Sequence, residues 1–248
     1  MTLDLFRNDA TLTECTASVL ALGPQGIVLD RTVFYPLGGG QAGDTGALVL
    51  QSGPHAGAVI TIADTRKGKD AEGRFTADIC HVPVAGSTPE LQVGDIVVAR
   101  IDWARRHRLM RFHTTTHLLC HLVPELVNGC SITPEYARLD FNMTDPLDKG
   151  VLSAGIARLV AAALPVVVGA ITDAELDANP ALVKSMSVQP PRGSGSVRTI
   201  RIGAEETIDF QPCGGTHVAN TAEIGAVVVT RIEKKSASTR RVVLGFAG

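Results

Sequence analysis

Two short segments carry the side chains best suited to chemistry: His113-Thr114-Thr115-Thr116-His117 and Cys213-Gly214-Gly215-Thr216-His217. Each pairs two metal-capable side chains four positions apart. On a helix that spacing puts both imidazoles on one face, one turn apart, where a single ion can be held by both. The run from Asp102 to Phe112 contains neither Gly nor Pro and supports such a helix. In the second segment Gly214 and Gly215 favour a turn that swings Cys213 and His217 toward one point. Either pair alone is more often ordinary structure. Together they supply three imidazoles and one thiolate, a donor set suited to zinc. Thr114 stands where zinc proteases carry a Glu after the first His, so no general base is supplied from this position. Cys120 and His121, one turn further along, are rival ligands ranked below the quartet.

The elements that must position these groups fall into two patterns. The 248 residues suffice for one large domain or two ordinary ones, each with a core. Between about residues 13 and 99, short Val-, Ile- and Leu-rich runs such as 26–30, 47–50 and 59–62 alternate with Gly, Pro and Asp. That pattern predicts a small β-barrel or closed antiparallel sheet whose last strand is 95–101. Beyond Trp103 it becomes helical, first to about Val123 and again from Asp148 to Ala163, where Pro165 ends the run. Strands are then expected at 166–172, 197–202, 225–233 and 241–246. The fold class is therefore α+β: a small amino-terminal β-barrel domain over 1–103, then an α+β domain over 104–248 with helices packed on an antiparallel sheet. A loop is expected over Pro190 to Gly195.

Five irregularly spaced cysteines do not suggest a disulfide framework, and Cys213 reads better as a metal thiolate in a reducing compartment. The amino terminus lacks the apolar core of a secretory signal. The longest apolar run, from Leu159 to Ile171, is broken by Pro165 and too short to span a bilayer. A soluble, cytoplasmic protein without membrane association is expected, as a monomer or weak homodimer.

The two histidine-bearing segments resemble the zinc signatures of a family, the free-standing alanyl-tRNA editing proteins called AlaX, which are similar to the editing domain of alanyl-tRNA synthetase. The resemblance rests on 113–119 (HTTTHLL) and 213–218 (CGGTHV), and extends to the glycine-rich loop Tyr35 to Gly46 (YPLGGGQAGDTG). It also takes in Ile101-Asp102-Trp103, Arg138-Leu139-Asp140-Phe141 and Arg240-Arg241-Val242. The likeness is to the longer AlaX proteins, with an amino-terminal domain bearing the glycine-rich loop and a carboxyl-terminal editing domain. It implies Zn2+ held by His113, His117, Cys213 and His217. It further implies ATP-independent hydrolysis, in trans, of the ester joining a wrong amino acid to alanine tRNA, mainly serine and in some members glycine. Thr116 would recognise the serine hydroxyl, unless it merely bonds its own helix backbone. Gly38, Gly39 and Gly40 would meet the tRNA terminus and shape the pocket, with Gln41 as a catalytic residue beside Thr116, unless the loop is only a flexible hairpin.

The formal net charge of −2 gives no hint of RNA, but local charge does. Arg105, Arg106, Arg108 and Arg111 crowd the approach to the first histidine, and Lys234, Lys235, Arg240 and Arg241 cluster near the carboxyl terminus. Arg105, Arg106, Arg240 and Arg241 are the expected phosphate contacts to mischarged alanine tRNA. Three alternatives stay open: editing of serine-charged threonine tRNA, a zinc hydrolase of small esters or amides, and a zinc-containing RNA-binding module without catalysis. A zinc ion with four protein ligands either expands to five-coordination during hydrolysis or anchors the substrate while a separate water attacks; the sequence leaves both open.

Overall fold

The computed structural model describes residues 1–51, 53–86, 91–190 and 195–247; most of the loop expected over Pro190 to Gly195 lies outside them. By its internal contacts the chain divides into two units, residues 1–38 with 42–107, and residues 39–41 with 108–248.

The first unit contains β1 (Leu3–Asp4), β2 (Glu14–Gly23), β3 (Gly26–Leu29), β4 (Arg31–Thr32), β5 (Gly46–Leu50), β6 (Val59–Lys69), β7 (Phe75–Pro83) and β8 (Ile96–Ile101). Six of these pair in the order β2-β3-β7-β6-β5-β8, and β8 returns to β2 to close a barrel. Alternate residues enter its core: Ala17 and Val19, Ile27 and Leu29, Leu48 and Leu50, Ile60 and Ile62, then Val97, Ala99 and Ile101. A period of two is what a strand with one buried face requires. The pair β1 and β4 runs parallel.

Buried in this unit, His81 is held by two hydrogen bonds. Its Nδ1–H donates to the Ile27 carbonyl at 2.9 Å, and its Nε2 accepts from the Thr32 hydroxyl at 2.8 Å. Burial pulls its pKa down to about 4, only partly offset by the Ile27 bond. The unfolded chain therefore takes up a proton that the folded chain refuses between about pH 6.5 and pH 4, so stability is full above that window and falls on acidification through it. A loss of about 2 kcal/mol is expected between pH 7 and pH 5. Urea unfolding of the native protein and of His81→Gln at both values tests this; an equal pH slope in the two proteins would rule His81 out as the cause.

Helix α1 (Trp103–Leu122) follows β8. Asp102 caps it, its carboxylate accepting the Arg105 amide at 3.0 Å. The division between units falls inside this helix, at 107/108, rather than at residue 103. From Phe112 to Cys120 every residue is buried, so this stretch has no solvent face and the two histidines lie within the interior.

The second unit continues with β9 (Val127–Ile132), β10 (Ala137–Asn142), α2 (Lys149–Ala161), β11 (Val166–Ile171), α3 (Asp173–Ala178), β12 (Val197–Ile202), β13 (Asp209–Pro212), β14 (Val227–Ser236) and β15 (Thr239–Phe246). They form two antiparallel sheets, β14-β15-β10-β9 and β11-β12-β13. The α2 helix is capped by Asp148 and buries Leu152, Ile156 and Leu159. It packs on β14, where the Val229 amide reaches the Ser153 hydroxyl at 3.1 Å. It stops at Ala161, two residues earlier than expected; Ala163 already has φ +49°, and the chain then turns through Pro165 into β11. Among the described residues no helix is long and apolar enough to cross a membrane.

Candidate metal centre

Strand β13 delivers Cys213 immediately after Pro212, and α1 presents His113 and His117 one turn apart. The ligand atoms of His113, His117, Cys213 and His217 all lie within 4.8 Å of one another. Cys213 Sγ stands 3.4 Å from His113 Nε2 and 3.3 Å from His217 Nε2. A tetrahedral zinc ion, with bonds of about 2.3 Å to sulfur and 2.0–2.1 Å to nitrogen, spaces such atoms roughly 3.5 Å apart. The donor set and its spacing therefore fit that ion. Cys120 and His121 lie outside the quartet, and burial pushes the Cys120 thiol up to about 12.

The three imidazoles share one arrangement in which Nδ1 is engaged and Nε2 is left for a metal. His113 Nδ1 bonds Gln41 Oε1 at 2.7 Å, His217 Nδ1 bonds Thr114 Oγ1 at 3.1 Å, and His117 Nδ1 bonds Asp209 Oδ2 at 2.8 Å. Such outer partners fix the tautomer and ring plane of a metal-binding histidine. Gln211 Nε2 also comes within 3.2 Å of His117 Nδ1, but the shorter contact to a charged acceptor takes the proton. Lys184 Nζ closes the chain at 2.5 Å from Asp209 Oδ1. Burial would raise the Asp209 carboxyl, yet His117 and Lys184 hold it down to about 2. Burial would likewise lower His117, and the Asp209 hydrogen bond outweighs it, bringing the imidazole to about 9. Burial favours the neutral Cys213 thiol, but the surrounding imidazoles bring it well below the ordinary thiol value. The Gly215 amide, 3.4 Å from Cys213 Sγ, points a donor at the resulting thiolate.

Gly215 is required for a reason the sequence did not show. A Cβ there would lie 2.0 Å from His113 Cε1 and 2.4 Å from its Nδ1, so the imidazole occupies the space a side chain would need. The turn itself is pinned by Arg198, whose guanidinium donates to the Cys213 and Gly215 carbonyls at 2.7 and 3.0 Å. Sequence alone gives no role to Arg198, Asp209 or Lys184, and none to Thr114 as a histidine partner. One signal was available: strand periodicity puts Asp209, Gln211 and Cys213 on the same side.

The tip of the glycine-rich loop, Gly39 to Gln41, groups with the second unit. Gly39 and Gly40 have φ of +58° and +85°, which side-chain-bearing residues rarely adopt. A Cβ at Gly40 would also sit 2.9 Å from Cys130 Sγ. The Gly40 carbonyl accepts the Ile132 amide at 2.7 Å. This fixes the next residue, Gln41, whose buried side chain accepts from His113 and from the Thr216 amide at 3.2 Å and donates to Thr216 Oγ1 at 2.8 Å. Gln41 thus orients a ligand through its amide. Gly38, whose carbonyl accepts the Tyr35 hydroxyl at 2.8 Å, belongs to the first unit. Thr116 is buried between the histidines and donates its hydroxyl proton to the His113 carbonyl at 2.7 Å.

The arginines expected to meet phosphate are placed otherwise. Arg106 is fully buried; its Nε lies 2.9 and 3.0 Å from the two Asp44 oxygens, and its terminal nitrogens reach the Ala10 and Val33 carbonyls. A guanidinium so enclosed cannot touch RNA, and its role is to hold the first unit together. Arg105 donates to the Gly43 carbonyl at 2.6 Å. Arg240, only 8% exposed, gathers the carbonyls of Ser236, Ala237, Thr239 and Thr144. Arg241 forms a bidentate pair with Asp140 at 2.7 and 2.8 Å, across the β10–β15 ladder. Arg240 and Arg241 are thus engaged in local structure, not held ready for a ligand.

Comparison with known proteins adds to this geometry. Residues 197–243 match the threonyl and alanyl tRNA synthetase second additional domain, and residues 6–105 match the class II (A) tRNA synthetases. The alanyl-tRNA editing protein AlaX-M of Saccharolobus solfataricus is 32% identical over 98% of this chain and 98% of its own. The AlaX-M of Methanosarcina barkeri is 33% identical over 87% of this chain and 86% of its own. The alanine–tRNA ligase of Sulfurisphaera tokodaii is 32% identical over 94% of this chain but only 25% of the ligase.

Proposed function

Because this chain belongs to the family of alanyl-tRNA editing proteins, we propose that it is a trans-editing deacylase that hydrolyses the ester of serine-charged alanine tRNA. The observation that carries this reading is the combination of a match along nearly the full length of an editing protein with a His3Cys quartet of metal-binding geometry whose three imidazoles are buried. Zinc, when bound, would supply Lewis-acid polarisation of the ester carbonyl. The protein's own groups do the rest. Gln41, Thr114 and Asp209 hold the three imidazoles in register, so the donor set is preorganised before substrate arrives. Burial of the three imidazoles limits bulk water around the ligand atoms.

Serine and alanine differ by one hydroxyl, and a partner for that hydroxyl is the most economical means of sparing the correct product. Thr116 suits the task in one direction only. Its proton is committed to the His113 carbonyl, so its oxygen is left to accept, and the serine hydroxyl would donate to it. Thr116→Val keeps the shape and removes the acceptor. Selectivity for serine over alanine is expected to fall about tenfold, the worth of one neutral hydrogen bond, read from deacylation rates on the two charged tRNAs. Unchanged selectivity would remove Thr116 from recognition.

The reading is tested by deacylation of serine-charged alanine tRNA, alongside alanine-charged alanine tRNA and serine-charged threonine tRNA, before and after chelation. Fast loss of serine from alanine tRNA alone, abolished by chelation and restored by zinc, is expected. Preference for threonine tRNA would move the activity to the other system served by this domain type. No turnover of any charged tRNA by folded, zinc-loaded protein would end the proposal.

A further inference from the structure

Arg108 and Arg111, one turn apart on α1, differ from the arginines already described. Each is anchored through Nε alone: Arg108 to the Pro134 carbonyl at 2.8 Å, Arg111 to the Ile224 carbonyl at 2.7 Å. Both guanidiniums then converge on one aromatic ring, with their central carbons 4.4 and 4.2 Å from the centroid of Phe246. Phe246 in turn packs on the fully buried Phe112, with ring centroids 4.3 Å apart, which fixes the platform. Among the described residues neither guanidinium meets a carboxylate, and their terminal nitrogens make no hydrogen bond. Arg108 is exposed and Arg111 half-buried.

Two like charges gathered on one ring repel, and the ring's quadrupole offsets that only in part. An anion placed between the two forks would relieve the repulsion and take up the unused N–H donors. Arginine pairs of this kind favour planar or tetrahedral oxyanions, phosphate above all. Elsewhere in the chain a comparable arginine pair, Arg138 with Arg241, already encloses a carboxylate, that of Asp140. Among the described residues Arg108 and Arg111 have no such internal counter-ion.

We propose that Arg108 and Arg111, set on Phe246, form a phosphodiester-binding clamp for the tRNA backbone. The assignment rests on the editing reading for the identity of the RNA, while the clamp itself rests on the geometry. It takes the place of the enclosed Arg106 and Arg240 and the carboxylate-paired Arg241 as the electrostatic contact, leaves Arg105 as a candidate neighbour, and makes Arg108 and Arg111 positioning residues that act on binding.

The test is binding of uncharged alanine tRNA across a range of salt concentration, so that it reads the clamp whether or not the protein deacylates. For Arg108→Gln/Arg111→Gln, affinity near 100 mM salt is expected to fall about tenfold, and the slope of log affinity against log salt to become shallower by about one to two. Arg231→Gln removes one charge, as Arg108→Gln alone does, from the Arg231–Glu233 pair and is expected to leave both nearly as in the native protein. In deacylation the double variant should show a raised KM with little change in kcat. Should the double variant fold poorly, Arg108→Gln alone, at an exposed position, should give about half the change in slope. Native affinity and slope in folded Arg108→Gln/Arg111→Gln or in Arg108→Gln would overturn the proposal, as would an equal effect from Arg231→Gln. Failure of the native protein to deacylate any charged tRNA would instead count against the editing reading alone.

Discussion

Gly215→Ala is expected to cost the protein its metal and, with it, at least a hundredfold in deacylation. The added methyl carbon would sit 2.0 Å from His113 Cε1, 2.4 Å from Nδ1 and 3.0 Å from Gln41 Oε1. None of these is the free end of a flexible chain. His113 is buried on a packed helix, and Gln41 is held at three points. The ring must swing away, which breaks its bond to Gln41 and withdraws Nε2 from the quartet. Loss of an outer-sphere partner alone typically weakens a metal site 10–100-fold, and displacing a ligand does more. Competition for zinc against a chromophoric chelator reads the affinity, and deacylation of serine-charged alanine tRNA reads the consequence. Native zinc affinity in folded Gly215→Ala would show that the close approach of Gly215 to His113 is not obligatory.

Arg106→Met is expected to destabilise the protein by about 3–5 kcal/mol, the usual penalty for stranding one partner of a buried ion pair. The guanidinium and the Asp44 carboxylate are 0% and 1% exposed, so no water takes the place of the lost charge. The Ala10 and Val33 carbonyls lose donors as well. A second change, Asp44→Asn, should recover part of the loss, because a neutral amide is far cheaper to leave in the interior than a carboxylate. Urea unfolding of both single variants and the double variant gives the coupling directly. If Arg106 served RNA instead, Arg106→Met would unfold like the native protein and bind tRNA more weakly; that outcome would refute the buried-pair account.

These two cases mark what could be read from the chain and what could not. The quartet was legible because its members come in two pairs at a separation that local geometry converts into proximity. The strands of the first unit were legible in part because short β-branched and Leu-rich runs between turn residues, as at 47–50 and 59–62, suit a half-buried sheet. Long strands such as β6 and β7 were harder, since Arg66, Lys67, Lys69 and Asp78 interrupt the apolar rhythm. The enclosure of Arg106 and the pairing of Arg241 were not legible because a charged letter does not say where its counter-ion is. Asp44 lies 62 positions from Arg106, and Asp140 lies 101 from Arg241. Asp209 and Lys184 were invisible for a like reason: 92 positions separate His117 from its carboxylate. Only the folded chain shows which charges are spent on structure and which are left over, and that sorting moved the proposed RNA contact from Arg106, Arg240 and Arg241 to Arg108 and Arg111.

The quartet and its supports are gathered from positions 41, 113–117, 209 and 213–217, and the hydrogen bond between Gln41 and Thr216 spans 175 positions. On the ribosome this spread becomes a delay. About 100 residues separate the two ligand pairs, which at ordinary rates of synthesis means roughly 5–20 s in which only two members of the quartet, His113 and His117, have emerged. A chain halted in that interval would hold zinc weakly, whereas one that has brought out His217 can close around the ion and stabilise the second unit by the free energy of binding. If the quartet takes up zinc as proposed, the supply of that ion would bear on how much of the chain matures, and not only on how much of it is active.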